Sequence, residues 1–297
     1  MTPLSAPFRW SATELANRPD WRFKGSAELL NLDSAALSCW MEPVTTELTH
    51  GSGAALIQGL GGVSEPDLRR LYLAIGRCIG SVDTTYGELY DVIDTGASYL
   101  EKAIPVSQTN ASTSVHTDSS RRETHPRWVG LACVRQTPMG GGSSIVSAVA
   151  VHDHLAAHDP EALARLQQPF HRDVVTPGSE ANALELIRSN AFAVYSQTED
   201  GPTLRYMRYW IEKAHQRINQ PLDPLDLGAF DRLDQTLNDP RFRYDFNLAG
   251  GDRLFIDNHK LAHGRDAFVA LPEAPRLMTR LWLNRRSTPS QSLQTWG

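Results

Sequence analysis

Hydrophobic residues along this chain occur mostly in short runs that end at glycine- or proline-containing turns, a pattern typical of β-strands. Two of these turns are unambiguous, at Gly61-Gly62 and at Gly140-Gly141-Gly142. We predict strands at 54–60, around His116, at 128–135, directly after the Gly140 turn, and at 170–175, 192–196, 204–208, 242–248, 254–257 and 277–283.

Other segments repeat their apolar residues with a helical period. The clearest helix starts at Ser64, whose side chain can cap the first turn; it has Pro66 in that turn and ends at Gly80. Further helices are predicted at 34–40, 148–157, 209–219 and 227–237.

Strands and turns lie on both sides of the helices near residues 206–240, whereas a doubly wound sheet would alternate strands and helices throughout. We therefore predict a mainly β fold with helices, namely a double-stranded β-helix (jelly roll) with a helical insert at about 206–240. Internal repeats and low-complexity linkers are absent from the sequence. We expect a single domain over 1–297, with about 1–50 packed on its core as an N-terminal extension.

Composition narrows the range of partners. Hydrophobic residues make up 41% and charged residues 21% of the 297 residues, and the net charge is −5. No Lys/Arg run resembles a nucleic-acid patch, and no apolar run reaches the length of a membrane span. Three cysteines lack metal-binding spacing, and the first ten residues lack a secretion signal. We expect a cytoplasmic protein that acts on a small molecule, without nucleic-acid or membrane partners; its oligomeric state stays open, with a homodimer among the alternatives.

The segment Ser114-Val115-His116-Thr117-Asp118 carries the first candidate chemistry. His116 and Asp118 are two residues apart, and such residues share one face of a strand. An imidazole and a carboxylate placed in this way are two of the three ligands in the 2-His-1-carboxylate triad of non-haem iron oxygenases. The spacing also arises by chance, and we interpret its second occurrence, His171-Arg172-Asp173, as structural. The interpretation of His116 and Asp118 as metal ligands therefore depends on whether the chain also supplies the second histidine of the triad.

A triad needs a second histidine, and the C-terminal third offers His259 and His263 after a predicted strand. Together with the Gly140 turn, His263-Gly264-Arg265 and the Arg276/Arg280 pair, the motif at His116 resembles the taurine dioxygenase and clavaminate synthase-like group of Fe(II)/2-oxoglutarate oxygenases. The resemblance covers about residues 50–287. It implies Fe(II), 2-oxoglutarate and O2 as cofactors and cosubstrates, and it implies these iron ligands: His116, Asp118 and His263.

The same resemblance implies roles for three further side chains. Arg276, thirteen residues after His263, matches the arginine that binds the distal carboxylate of 2-oxoglutarate, and a guanidinium fork suits a carboxylate. Ser144 matches a hydroxyl residue, often threonine, that also contacts 2-oxoglutarate. Arg280 matches an arginine that holds the acidic group of the substrate. Arg208 is a further candidate for substrate binding, at a place where relatives that recognise guanidine or amide groups have acidic residues, and a surface salt bridge is the alternative. His259 is interpreted as lying outside the metal site, because the segment is not helical and no glutamate follows it.

The implied reaction converts 2-oxoglutarate and O2 to succinate and CO2 while an unactivated C–H bond is hydroxylated. The expected substrate is a small acidic or zwitterionic metabolite, above all a free amino acid or an amino-acid-derived biosynthetic intermediate. Asp118 argues against halogenation, because halogenases of this family have glycine or alanine in its place. Desaturation and cyclisation stay open, as do catabolic oxidation of a sulfonate or aryloxy acid and a non-catalytic jelly-roll protein that retains a metal site.

Two arginines in the predicted strand 204–208 bear on the substrate. Arg205 and Arg208 are three residues apart, so at most one of them can point inward from a regular strand. A buried guanidinium without a partner is costly, which favours a substrate with a second acidic group or a phosphate over lysine or arginine.

Overall fold

The computed structural model describes residues 6–96, 106–119, 123, 125–173, 183–271 and 273–286. Within these ranges it has eight α-helices: α1 Ala12–Ala16, α2 Ser34–His50, α3 Glu65–Ile79, α4 Ala148–His158, α5 Pro160–Leu166, α6 Ala183–Ser189, α7 Arg208–Arg217 and α8 Pro224–Leu237. The same ranges contain fifteen strands: β1 Arg22–Lys24, β2 Ala54–Gln58, β3 Ser81–Val82, β4 Tyr90–Val92, β5 Thr113–His116, β6 Trp128–Arg135, β7 Ser143–Ser147, β8 Pro169–His171, β9 Ala191–Ala193, β10 Tyr195–Thr198, β11 Gly201–Leu204, β12 Arg243–Phe246, β13 Arg253–Asp257, β14 Leu261–Arg265 and β15 Leu277–Asn284.

Most of the strands form two sheets. The larger sheet has the order β1-β2-β13-β6-β15-β3, with β4 paired to β15, and the smaller has the order β12-β7-β14-β5. Every pair in them is antiparallel except β1 with β2. Two further pairs, β8 with β9 and β10 with β11, stand apart from these sheets.

The alternation of side chains on each strand assigns them to separate layers. On β2, Leu56 joins an apolar cluster that also contains Ile145 of the smaller sheet, whereas Ile57 joins the cluster formed with α2 and α3. On β7, Val146 packs in a third cluster with α4, α5 and α8. The two sheets therefore face each other and each is covered by helices on its outer side. This is the predicted double-stranded β-helix.

Local signals in the sequence account for the best-predicted helix. The Ser64 side chain accepts a hydrogen bond from the Asp67 amide, and α3 ends before Gly80. Gly76 in the same helix lies against β15, where a Cβ would come within 2.2 Å of Leu281. The helix can pack this closely on the larger sheet because that position has no side chain.

Several predicted elements differ from the structure, among them the strand predicted at 192–196, which is observed as the two strands β9 and β10. The helix predicted at 34–40 continues to His50 as α2, and the strand predicted at 170–175 is observed as β8, with residues from 174 outside the described ranges. The predicted strand 204–208 ends at Leu204, and Arg208 begins α7. The physical reason is a pair of hydrogen bonds to a residue distant in sequence: Tyr206 donates its amide to Thr117 Oγ1 at 2.9 Å and accepts from the Thr117 amide at 2.8 Å. This segment is therefore joined to the loop after β5.

None of the helices in the described ranges combines the length and the apolar character needed to cross a lipid bilayer.

Candidate active site

Two histidines from neighbouring strands face each other on the smaller sheet. His116 at the end of β5 is paired in register with His263 of β14, and their ring centroids are 4.5 Å apart. Oδ1 of Asp118 lies 3.6 Å from Nε2 of His116 and 3.8 Å from Nε2 of His263. One ligand atom from each side chain lies within 4.8 Å of the others. The three side chains thus converge as a facial triad does.

Hydrogen bonds hold this arrangement in place. Nδ1 of His116 lies 2.7 Å from the carbonyl oxygen of Ser114, and a proton on Nδ1 leaves the Nε2 lone pair for a metal. Asn258 binds the backbone of Asp118 in both directions, accepting from its amide and donating to its carbonyl, each at 2.8 Å. The loop that follows β5 is therefore fixed by a buried amide although Asp118 lies beyond the strand.

Buried polar groups keep the Asp118 carboxylate charged. Trp282 donates its indole N–H to Oδ2 at 2.8 Å, and Arg280 Nη1 lies 3.2 Å from the same oxygen. Burial alone would raise the pKa of Asp118, but the Arg280 guanidinium and the two imidazoles hold that pKa below its ordinary value. Burial, with the neighbouring His116, lowers the pKa of His263 to about 3. An anionic carboxylate and a neutral imidazole are the forms that bind divalent metals.

Side chains at every second position from Arg276, the residue before β15, point to the same side of the strand. Arg276, Arg280 and Trp282 line the same cavity as the triad, as strand alternation requires. Arg276 is 3% exposed and donates from Nε to Gln136 Oε1 at 2.9 Å, but its Nη2 has no hydrogen-bond partner in the described ranges. A buried guanidinium with a free donor matches the needs of a carboxylate ligand.

The serine of the glycine turn that faces the cavity is Ser143, not Ser144. His263 is paired with Ile145, so Ser143, two residues before Ile145, shares its face, whereas Ser144 is paired with Gly264. This corrects the expectation that Ser144 contacts 2-oxoglutarate. Its position one residue further along the strand turns its side chain to the outer face.

Neither arginine of the segment 204–208 is among the residues that line this cavity in the described structure. Arg205 donates to Ser119 Oγ at 2.7 Å and stacks over the ring of Phe192. Arg208, at the start of α7, forms ion pairs with Glu212, Asp231 and Asp234 at 2.6 to 2.9 Å. This placement corrects the expectation that Arg208 binds substrate: a helix start replaces the predicted strand and directs the guanidinium to acidic residues of α7 and α8.

The segment after β8 supplies another part of the wall. Arg172 and Asp173 line the cavity together with Met207 and Trp210. Nε and Nη1 of Arg172 have no hydrogen-bond partner among the described residues, although the side chain is buried. Two residues of the motif interpreted as structural therefore lie in the cavity wall.

Some of the site residues that the sequence analysis did not predict follow a recognisable sequence pattern, and others do not. Trp282 continues the alternation of Arg276 and Arg280, so strand periodicity could have found it, whereas Arg172 follows the end of β8 and only the fold brings it to the cavity. Asn258 carries no such pattern, because only the fold brings it to Asp118.

The donor set fits Fe(II) and 2-oxoglutarate. Imidazole nitrogens and a carboxylate oxygen are the ligands of non-haem Fe(II), and Oδ1 of Asp118 lies 3.6 and 3.8 Å from the two Nε2 atoms that would bind the same ion. The same cavity reaches the unpaired Nη2 of Arg276, which a carboxylate would satisfy.

Comparison with known proteins agrees with this geometry. The model of the family described as "Taurine catabolism dioxygenase TauD, TfdA family" matches residues 25–282. FR-33289 synthase of Streptomyces rubellomurinus (strain ATCC 31215) is 23% identical over 266 residues, covering 84% of this chain and 76% of that protein. A uridine-5'-phosphate dioxygenase of Streptomyces sp is 30% identical over 193 residues, covering 63% of this chain and 67% of that protein.

A solved structure shows the same fold. Asparagine oxygenase in complex with Fe(II), 2S,3S-3-hydroxyasparagine and succinate superposes with a TM-score of 0.63 at 15% identity, over 90% of this chain and 94% of that one.

Proposed function

Because the chain belongs to the TauD, TfdA family of taurine catabolism dioxygenases, we propose that it hydroxylates an unactivated C–H bond of a small acidic or zwitterionic metabolite. The chain is an Fe(II)/2-oxoglutarate-dependent oxygenase by its family and its triad. One observation carries the proposal: His116, Asp118 and His263 converge beside a cavity whose wall holds an arginine with a free donor.

In this proposal each side chain has a defined task. His116, Asp118 and His263 hold Fe(II), and Arg276 binds the distal carboxylate of 2-oxoglutarate in place of the missing partner of its Nη2. When bound, Fe(II) and 2-oxoglutarate supply the oxidising power: 2-oxoglutarate loses CO2 to give succinate, one oxygen atom of O2 enters succinate and the other enters the substrate C–H bond. The protein supplies position and a partly enclosed site.

Arg280 has two tasks in this account. It lies against Asp118 and keeps that ligand anionic, and it also lines the cavity, where donors not used by Asp118 can bind an acidic group of the substrate. The carboxylate present at position 118 leaves no ligand position for halide, so we propose hydroxylation rather than halogenation.

The charges in the wall favour an anionic substrate. Four of the described residues that line the cavity are arginines: Arg172, Arg265, Arg276 and Arg280. Two of the acidic residues that line it, Asp118 and Asp173, are already paired with Arg280 and Arg217. Cationic side chains such as those of lysine or arginine would add to an excess of positive charge.

The relatives bear on two substrate classes. Asparagine oxygenase has a structure with hydroxyasparagine, in line with the amino-acid class, and the uridine-5'-phosphate dioxygenase acts on a phosphate-bearing compound. We retain an amino acid or its derivative as the first candidate. A phosphate-bearing metabolite is the second, favoured by the arginine-rich wall.

The test is succinate release by the Fe(II) protein supplied with 2-oxoglutarate and air, compound by compound, for the common amino acids and nucleoside monophosphates. We expect one class to stimulate succinate formation and to yield a product heavier by one oxygen atom. Iron binding without 2-oxoglutarate turnover under any of these conditions would instead support a non-catalytic metal protein.

A further inference from the structure

Arg172 is a buried cation whose charge the described residues leave without an ion pair. Its side chain lines the cavity with 5% of the residue exposed, and Nε and Nη1 both lack hydrogen-bond partners in the described part of the chain. Donors of this kind cost free energy when buried unless a ligand or water accepts from them.

Within the described ranges, the acidic residues near Arg172 are paired with other cations. The carboxylate of Asp173, its neighbour in the chain, accepts from Arg217 at 2.8 Å through both oxygens. The carboxylate of Asp118 is bound by Arg280 and Trp282. Both carboxylates are therefore paired with arginines other than Arg172.

The backbone at Arg172 is held rigidly. Its amide donates to the Asn190 carbonyl at 3.0 Å, and the Asn190 side chain donates back to the Arg172 carbonyl at 2.9 Å. The next amide, of Asp173, donates to the Trp210 carbonyl at 2.9 Å. A guanidinium on such a fixed segment loses little further freedom when it binds a ligand.

The guanidinium of Arg172 stays charged in the cavity wall. Burial lowers the pKa of Arg172 to about 10, which leaves the guanidinium protonated at neutral pH. An anionic ligand would satisfy both the charge of this guanidinium and its donors.

We propose that Arg172 forms an anion subsite for a phosphate, or a phosphate-like oxyanion, of the substrate; the inference rests on the oxygenase function proposed above. A phosphate brings more negative charge than a single carboxylate, which suits a cavity wall that also holds Arg265, Arg276 and Arg280. The carboxylate of 2-oxoglutarate is a separate ligand, because Arg276 binds it from the start of β15.

The matched probes are uridine 5'-monophosphate, uridine and inorganic phosphate, titrated anaerobically into the protein loaded with Fe(II) and 2-oxoglutarate. Calorimetry measures binding, and the visible absorbance of the complex reports the loaded metal site. The unmodified protein should bind uridine 5'-monophosphate at least about 10-fold more tightly than uridine, as expected for a charge-assisted contact.

The variant Arg172→Gln should lose that preference, with phosphate-bearing probes binding about 10- to 100-fold more weakly and uridine unchanged. Arg172→Lys should retain part of it, because the charge remains. Arg232→Gln, which removes a cation paired with Asp159 outside the cavity, is the control and should behave as unmodified protein.

Two outcomes overturn the subsite: phosphate-bearing probes that bind no better than uridine, or an equal preference in Arg172→Gln. Both outcomes are evaluated in a complex that still shows the Fe(II)/2-oxoglutarate absorbance. If that absorbance is missing from the unmodified protein, the oxygenase function fails instead, so the two failures are distinguishable.

Discussion

The metal triad and the arginine wall of the same cavity differ in how fully the protein satisfies their polar atoms. The Asp118 carboxylate is bound by Arg280 and Trp282, and its backbone is bound by Asn258. In the wall, Arg172 and Arg276 keep guanidinium nitrogens that find no acceptor in the described ranges. Nδ1 of His263 also lacks a partner among the described residues, but the protein satisfies the Asp118 carboxylate, whereas the wall arginines are complete only with ligands.

The difference separates two kinds of buried charge. A charge that the protein pairs itself contributes to the position of a ligand atom, as Arg280 does for Asp118. A charge left unpaired destabilises the empty protein and favours an anion that can enter. Unpaired buried donors are therefore the more direct guide to what the cavity binds.

The largest effect is expected from removing a triad member. His263→Ala should reduce substrate-dependent succinate formation by at least about 1,000-fold, because the metal loses one of three protein ligands. Circular dichroism should show an unchanged fold, since the strands are paired without the metal. His158→Ala on the exposed end of α4 is the control. Full turnover by His263→Ala with unchanged iron content would disprove the assignment.

The next largest effect is expected from removing Arg276, a wall arginine whose Nη2 lacks a partner in the described ranges. Arg276→Ala should weaken 2-oxoglutarate binding by about 30- to 1,000-fold, equivalent to about 2–4 kcal/mol for a lost charge-assisted contact. The measurement is the half-saturating concentration of 2-oxoglutarate, with exposed Arg77→Ala as control. An unchanged value would move the role to another arginine of the wall, with Arg280 and Arg265 tested first.

A smaller effect should follow from loosening the satisfied region. Trp282→Phe removes the donor to Asp118 and keeps an aromatic ring against Tyr86, so Fe(II) affinity should fall by about 10-fold. Trp10→Phe is a matched control, because its indole N–H binds the Ser52 carbonyl at similar burial away from the triad. Equal iron affinity in both variants would mean that Trp282 does not position the ligand.

The smallest effect is expected at Arg208, which lies outside both regions. Arg208→Gln should leave turnover within about two-fold and lower the free energy of unfolding by about 0.5–1 kcal/mol, since its ion pairs are partly exposed. Chemical denaturation and steady-state kinetics measure the two quantities. A large rise in substrate half-saturation would restore the substrate role first expected for Arg208.

The sequence predicted the fold and the triad better than the rest of the cavity, for physical reasons. Strand alternation and helix caps are local, so β6, α3 and the shared face of Arg276 and Arg280 could be read from neighbouring residues. The choice between Ser143 and Ser144 depends on strand register, which a single sequence does not define.

The prediction that placed Arg208 on a strand was wrong for a different reason. Tyr206 bonds to Thr117, far away in the sequence, and this contact ends the strand early. Arg172 was overlooked because its motif was judged by spacing, whereas its importance lies in an unpaired charge that only the folded chain reveals.

The measurement that tests the central claim most directly is an anaerobic titration of the Fe(II) protein with 2-oxoglutarate, followed by visible absorbance. If the triad holds iron and Arg276 binds the distal carboxylate, a metal-to-ligand charge-transfer band should appear and saturate at one equivalent per chain, and it should be absent from His263→Ala. A protein that binds one iron per chain yet shows no such band at saturating 2-oxoglutarate would contradict the account.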